Sequence, residues 1–575
     1  MKVPLLLVLA CLVLPMAPAQ TPPAPPQVSV PVSLADFPTR EFNVRDFGAK
    51  GDGVAVDSPA INQAIDAAAA AGGGVVRLPA GTYLSYTVRL RSNLTLRLEK
   101  DAVLLAGQPG AGNAYDPPEA NAFSQYQDGG HSHWMNSLIV GIGLDHVAIT
   151  GPGVINGAGL NRGDGVPGNK AIALKNCRLV VLKDFWVLNG GHFALLASGV
   201  DDFLIDGVKT DTNRDSFDID CCRRGFITNC QLNSHNDDAL VLKTSFGLGE
   251  GRPCEDLVIA HCTVTGYDQG TFYDGTKLRA NPRAPDGDGP TGRIKFGTES
   301  DSAFRRISIS DCVFDHSRGL AFETVDGGTI EDVSATNLTM TDINTAPIFF
   351  RIGNRARGPN NPPIGIIRRV TVDQVTATGV DPRFPILIAG LPDHPVQDVT
   401  LSNIHITYKG GFSLAMVASP PPGVGLGFSQ RGGRGGRGGA GRGAAAPAGT
   451  PVSPPPPGAA AAPVTPRAPR DPYAVPENAA AYPEPSMFGL LPGYGVYARH
   501  AANLTCRNVT VAFEQEDTRP VVVLDDVQGA KFDQLKAQRG QDAPFFVLRH
   551  VTGFSTKGTT GLSDVQLADA PDTKL

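Results

Sequence analysis

Val180-Val-Leu-Lys-Asp-Phe185, Phe203-Leu-Ile-Asp-Gly-Val208, Gly225-Phe-Ile-Thr-Asn-Cys230, Leu257-Val-Ile-Ala-His-Cys262 and Ile307-Ser-Ile-Ser-Asp-Cys312 are versions of one six-residue phrase. Val333 to Leu338, Val370 to Val375, Val399 to Ile404 and Leu504 to Val509 continue it. The third position is Leu182, Ile205, Ile227, Ile259, Ile309, Ala335, Val372, Leu401 and Cys506, and the sixth is equally apolar from Phe185 to Val509. Each copy reads as a short strand, a polar turn and a second strand. As far as Val399, successive copies start 22 to 50 residues apart. Strands that return to the same phase with extra length only at turns predict an all-β, right-handed parallel β-helix in which each coil stacks on the last.

Composition agrees. With 67 Gly and 48 Pro, a fifth of the 575 residues form turns, which argues against a mostly helical protein. A net charge of −6 gives no overall attraction to nucleic acid or to a membrane surface.

The N-terminus carries Met-Lys, an apolar run from Val3 to Leu14 and Ala17-Pro18-Ala19 before Gln20, the three parts of a secretory signal. The expected organisation is a signal peptide (1–19), a Pro-rich linker (20–38), a β-helix (39–419), an Arg/Gly/Pro/Ala-rich flexible insertion (420–481) and further coils of the same β-helix (482–575). Export to the periplasm or the medium follows from the signal. Residues 58–71 (SPAINQAIDAAAAA), ended by Gly72-Gly73-Gly74, read as a helix capping the open end of the solenoid. The insertion contains an RGG-type run from Arg431 to Gly443 and cannot form a core. Beyond the signal eight cysteines remain; Cys230, Cys262 and Cys312 share the sixth position and read as a stack of small buried hydrophobes.

The chemistry gathers in one column. Asp215 and Asp237 are 22 residues apart, one coil, and Asp238 is beside the second, so three carboxylates are expected about one strand spacing, roughly 4.8 Å, apart. Like charges this close raise at least one pKa, as glycoside hydrolysis requires.

Asn213-Arg214-Asp215, followed by Asn236-Asp237-Asp238, resembles the N-x-D and G-D-D motifs of glycoside hydrolase family 28, the polygalacturonase and rhamnogalacturonan hydrolase family. The resemblance implies an inverting hydrolysis of pectic chains without a cofactor or metal. Asp237 matches the family's general acid, and Asp215 and Asp238 match the residues that activate water. The expected partner is a pectic poly- or oligosaccharide, with no nucleic acid, no membrane after signal cleavage, and a monomeric chain.

His192, Asn213, Arg214, His235 and Lys243 flank the acids as candidate substrate-binding residues. The family's G-H-G has no counterpart here, and Arg318-Gly-Leu-Ala-Phe-Glu-Thr324 stands where R-I-K is expected. Arg293-Ile294-Lys295 spells R-I-K one coil early, so Arg293 and Lys295 are further candidates for the cleft. Glu323 in place of a Lys opposes a galacturonate carboxylate, so a rhamnogalacturonan-type or exo-acting variant fits better than a classical endo-polygalacturonase. Trp134 reads as core in preference to a sugar platform. Residues 482–489 (YPEPSMFG) could return toward the cleft as a rim loop. A calcium-dependent pectate lyase and a non-catalytic polysaccharide-binding solenoid are the competing readings.

Overall fold

The computed structural model describes residues 32–110, 112–163, 165–281, 289–421, 424 and 469–575. The expected signal peptide, most of the expected linker and most of the expected insertion lie outside the described residues.

The third position of the repeated phrase is a continuous ladder. Leu182 pairs with Ile205, Ile205 with Ile227, Ile227 with Ile259, Ile259 with Ile309, Ile309 with Ala335, Ala335 with Val372, Val372 with Leu401 and Leu401 with Cys506, every pair parallel. All nine side chains are buried. The last pairing joins neighbouring rungs across the insertion. The expected parallel β-helix is the observed fold, and three strands per turn line one continuous core.

The fifth position explains the bend within each phrase. Asp184, Gly207, Asn229, His261, Asp311, Asn337, Gln374, Asn403 and Asn508 all have left-handed backbones, with φ between 49° and 66°. Most are Asn, Asp or Gly, the residues that tolerate this region best. The bend lets the third and sixth side chains both point inward, and the sixth column from Phe185 to Val509 is buried. The eight cysteines from Cys177 to Cys506 are free and buried, with Cys230, Cys262 and Cys312 in the core as the pattern predicts.

One sheet runs through Lys170–Lys175, Phe193–Ser198, Phe217–Asp220, Leu240–Thr244, Ile294–Ser300 and Leu320–Thr324. The site is built at the entry to these strands. At the N-terminal end, the helix Ser58–Ala70 has Pro at its start and turns Ile61, Ala64, Ile65 and Ala68 into the core. At the other end Val565–Lys574 pairs antiparallel with Phe546–Lys557 and so covers the edge of the last rung.

Two expected boundaries move. Val32 and Phe37, in the expected linker, are buried against Ala148 and Val181. Within the expected flexible insertion, Val475 packs with Phe349 and Phe488, and its carbonyl accepts from Arg499 Nη1 at 2.6 Å. Composition hides this packing because it depends on isolated apolar residues and on backbone carbonyls that satisfy buried arginines.

Candidate active site

The coil spacing changes by one residue at the acids. Lys209–Thr212 pairs with Gln231–Ser234 at a separation of 22, but Phe217 pairs with Leu240 at a separation of 23. The sequence count places Asp237 over Asp215. The extra residue corrects this: extending the Phe217–Leu240 register backward sets Asp238 over Asp215, and Asp237 falls at the irregularity. A bulge re-aims a side chain, and Asp237 is half-buried while Asp215 and Asp238 are buried.

The Asp238 N–H donates to Oδ1 of both Asp215 and Asp237, at 3.1 Å each. One carboxylate oxygen from each of the three acids lies within 4.8 Å of the others. Burial and then the Asp237 charge push the Asp215 carboxyl well above its ordinary range. Burial also opposes ionisation of Asp238, but Lys295 and Arg293 overcome it and hold that carboxyl below the usual range. Lys295 Nζ is 2.5 Å from Asp238 Oδ2, and Arg293 Nε is 2.7 Å from Oδ1. The Arg-Ile-Lys string therefore meets the acids on the rung directly after them.

The other predicted residues separate. Arg214 Nη2 is 3.1 Å from Asp237 Oδ2 at the opening. Asn213 lines a cavity of about 150 Å³ together with Arg162, Asn189 and Gln269. Lys243 lies beneath the acids, buried, 4.0 Å from Asp215 and 2.9 Å from Asp218. His192 is buried with Nδ1 2.8 Å from the Arg162 carbonyl, and His235 Nδ1 is 2.9 Å from the Gly266 carbonyl. These contacts make both histidines part of the wall. Trp134 is core: it packs with Phe193 and Leu196 and donates from Nε1 to Ser198 Oγ at 3.1 Å.

Sequence reasoning missed a buried support under the cleft. His131 Nε2 and Lys243 Nζ each lie 2.9 Å from Asp218 Oδ2, and Lys243 is 3.4 Å from Glu299. Asp218 stands in plain view two residues after Ser216, but nothing in the spacing marks its partner His131, 87 residues away. Sequence reasoning also missed Glu484, which accepts from Arg293 Nη1 at 3.1 Å and Nη2 at 2.6 Å. The stretch that could have pointed to it, residues 482–489, does return to the site.

The three carboxylates could approach a cation, but Arg214, Arg293, Lys295 and Lys243 surround them, so a divalent ion would compete with four charges already in place. The arrangement suits proton transfer: one buried acid raised above the usual carboxylate range, one held below it, and one at the opening.

Known proteins point to the same class. A family model described as "Rhamnogalacturonase A/epimerase, pectate lyase-like" matches residues 41–181, the coils before the acids. A probable polygalacturonase of Vitis vinifera is 24% identical over 388 residues, covering 63% of this chain and 73% of its own. The chain thus resembles the family 28 glycoside hydrolases. Among solved structures, the family 28 exopolygalacturonase of Yersinia enterocolitica superposes with a TM-score of 0.54 at 16% identity, covering 92% of this chain and 79% of that one, which supports the shared fold. A segment of 67 residues is 54% identical to mannuronan C5-epimerase AlgE4 of Azotobacter vinelandii, but it covers only 12% of either chain.

Proposed function

We propose that this family 28-like chain is an exported, monomeric enzyme that hydrolyses α-glycosidic bonds in pectic polysaccharide. The observation that carries the reading is the stack of Asp215 and Asp238 with Asp237 at the opening. Asp237 gives its proton to the leaving oxygen as the bond to the anomeric carbon breaks, and water attacks that carbon from the opposite face. Asp215 and Asp238 orient this water and take its proton. Lys295 and Arg293 hold Asp238 ionised for this role, and Asp215, which burial and the Asp237 charge raise above the usual carboxylate range, takes it up in its ionised form. The polygalacturonase relative supports a pectic substrate.

The test is a product assay on homogalacturonan and rhamnogalacturonan, with and without chelator, for the wild type and Asp237→Asn. New reducing ends without ultraviolet absorbance, indifferent to chelator and reduced by about 10²–10⁴-fold in the variant, are expected. Unsaturated products that require calcium would replace the hydrolase with a lyase.

One observation favours a second stereochemical reading. The nearest oxygens, within 4.8 Å, are closer than the roughly 6.5–9.5 Å between carboxyl groups typical of inverting pairs. Nuclear magnetic resonance of the first-formed anomer decides it: inversion is expected, and retention would make one of the aspartates a nucleophile.

A further inference from the structure

The positive charges beside Asp238 are already engaged by the chain itself. Arg293 contacts Asp238 through Nε and Glu484 through both terminal nitrogens. Arg318 Nη1 is 3.2 Å from Glu484 Oε1, and its Nη2 donates to the Gly289 carbonyl at 3.1 Å. Lys295 is taken up by Asp238. Arg293, Arg318 and Glu484 are all more than nine-tenths buried. A second carboxylate, Glu323, lies beneath with its nearest oxygen 3.8 Å from Arg293 Nη1. Above the cluster, Tyr482 is 42% exposed, with Lys295 Nζ 5.8 Å from its ring centroid.

We propose that Glu484 determines specificity: it fills, from within the chain, the place a substrate carboxylate would take between Arg293 and Arg318, so the sugar position beside Asp238 takes a neutral sugar in preference to a uronate. The inference rests on the pectin-hydrolase reading above. A uronate would have to displace a buried, bidentate carboxylate, and any that remained nearby would meet like charge. A neutral sugar needs only hydroxyl hydrogen bonds, and its apolar face can lie on the exposed part of Tyr482. The chemical class of substrate is therefore a pectic chain in which neutral and uronic sugars alternate.

The experiment compares kcat and KM of the wild type, Glu484→Gln and Glu484→Ala on oligogalacturonides and on oligosaccharides that alternate galacturonate with a neutral deoxysugar. The wild type is expected to prefer the alternating chain. Glu484→Ala is expected to reduce that preference by roughly tenfold or more, chiefly through a lower KM for the all-uronate chain. Glu484→Gln, which keeps the bulk and removes the charge, is expected to shift the preference in the same direction by less. An equal loss on both substrates would make Glu484 merely structural and overturn the proposal, as would a wild type that prefers oligogalacturonides. If neither variant folds, competition in the wild type decides: the free neutral sugar is expected to inhibit more strongly than free galacturonate, and the reverse order overturns the proposal. Absence of wild-type turnover on every pectic chain would overturn the hydrolase reading and this inference together, whereas turnover with a uronate preference removes only the role of Glu484.

Discussion

Two columns of charge run along the solenoid under opposite rules. On the outer face, Asp201, Arg223, Glu255, Arg305, Glu331 and Arg368 occupy successive rungs in one register, and the sign alternates at every step. The neighbouring positions Asp202, Arg224, Asp256, Arg306, Asp332 and Arg369 alternate in the same way. Acids there meet guanidinium groups on neighbouring rungs, as Asp256 does with Arg306 at 2.6 Å and Asp332 with Arg369 at 2.7 Å. In the cleft the rule breaks: Asp238 follows Asp215 with no change of sign. Stacking spaces residues by a fixed distance, so a repeated charge is costly wherever the fold could have alternated it. The cleft retains that cost, and the raised Asp215 carboxyl is its chemical use.

The largest test of this contrast is Asp215→Asn. Loss of activity by about 10²–10⁴-fold is expected. A raised folded-state pKa means that burying Asp215 costs more stability as pH rises above the unfolded carboxylate value. The variant should therefore be at least as thermally stable as the wild type at neutral pH, and a clear drop in melting temperature would break the comparison.

Lys295→Met removes the ammonium nearest Asp238. The acidic limb of the kcat/KM profile should move upward by roughly one to three pH units. An unchanged limb would mean that Asp238 does not need its cation.

Asp301 sharpens the contrast away from the cleft. Burial, with Asp326 and Glu299 nearby, pushes its carboxyl up to about 8. Its stabilising contribution is thus full below the ordinary carboxylate value and is lost as pH rises toward about 8. Asp301→Asn should gain melting temperature over the wild type, more at pH values near 8 than near 5; equal differences at both would refute the linkage.

The smallest effect belongs to the outer ladder. Arg306→Ala should cost less than about 1 kcal/mol in denaturant unfolding, because the side chain is only partly buried and its ion pairs are open to solvent, and a much larger loss would show that the ladder acts as a cooperative network.

The fold was legible because its determinants repeat. Leu182, Ile205, Ile227 and their successors announce the ladder, and the Asn and Asp residues at the fifth position announce the bend. The three acids were legible as a cluster for the same reason. Their order was not: one extra residue between Ser234 and Leu240 moves Asp238, in place of Asp237, over Asp215, and a count of 22 cannot detect where a register slips. Glu484 was beyond the count altogether, because its contact with Arg293 spans 191 residues and an insertion with no periodicity. His131 and Glu299 support the cleft through ion pairs that leave no pattern in the sequence.

The insertion between the rungs of Leu401 and Cys506 also sets an order of assembly. Asp238 and Arg293 precede Glu484 by 191 residues or more, so without the post-insertion segment the three acids stand beside an arginine that still lacks its carboxylate. The site can reach its final electrostatic balance only after the post-insertion segment has been made and has folded back onto Arg293.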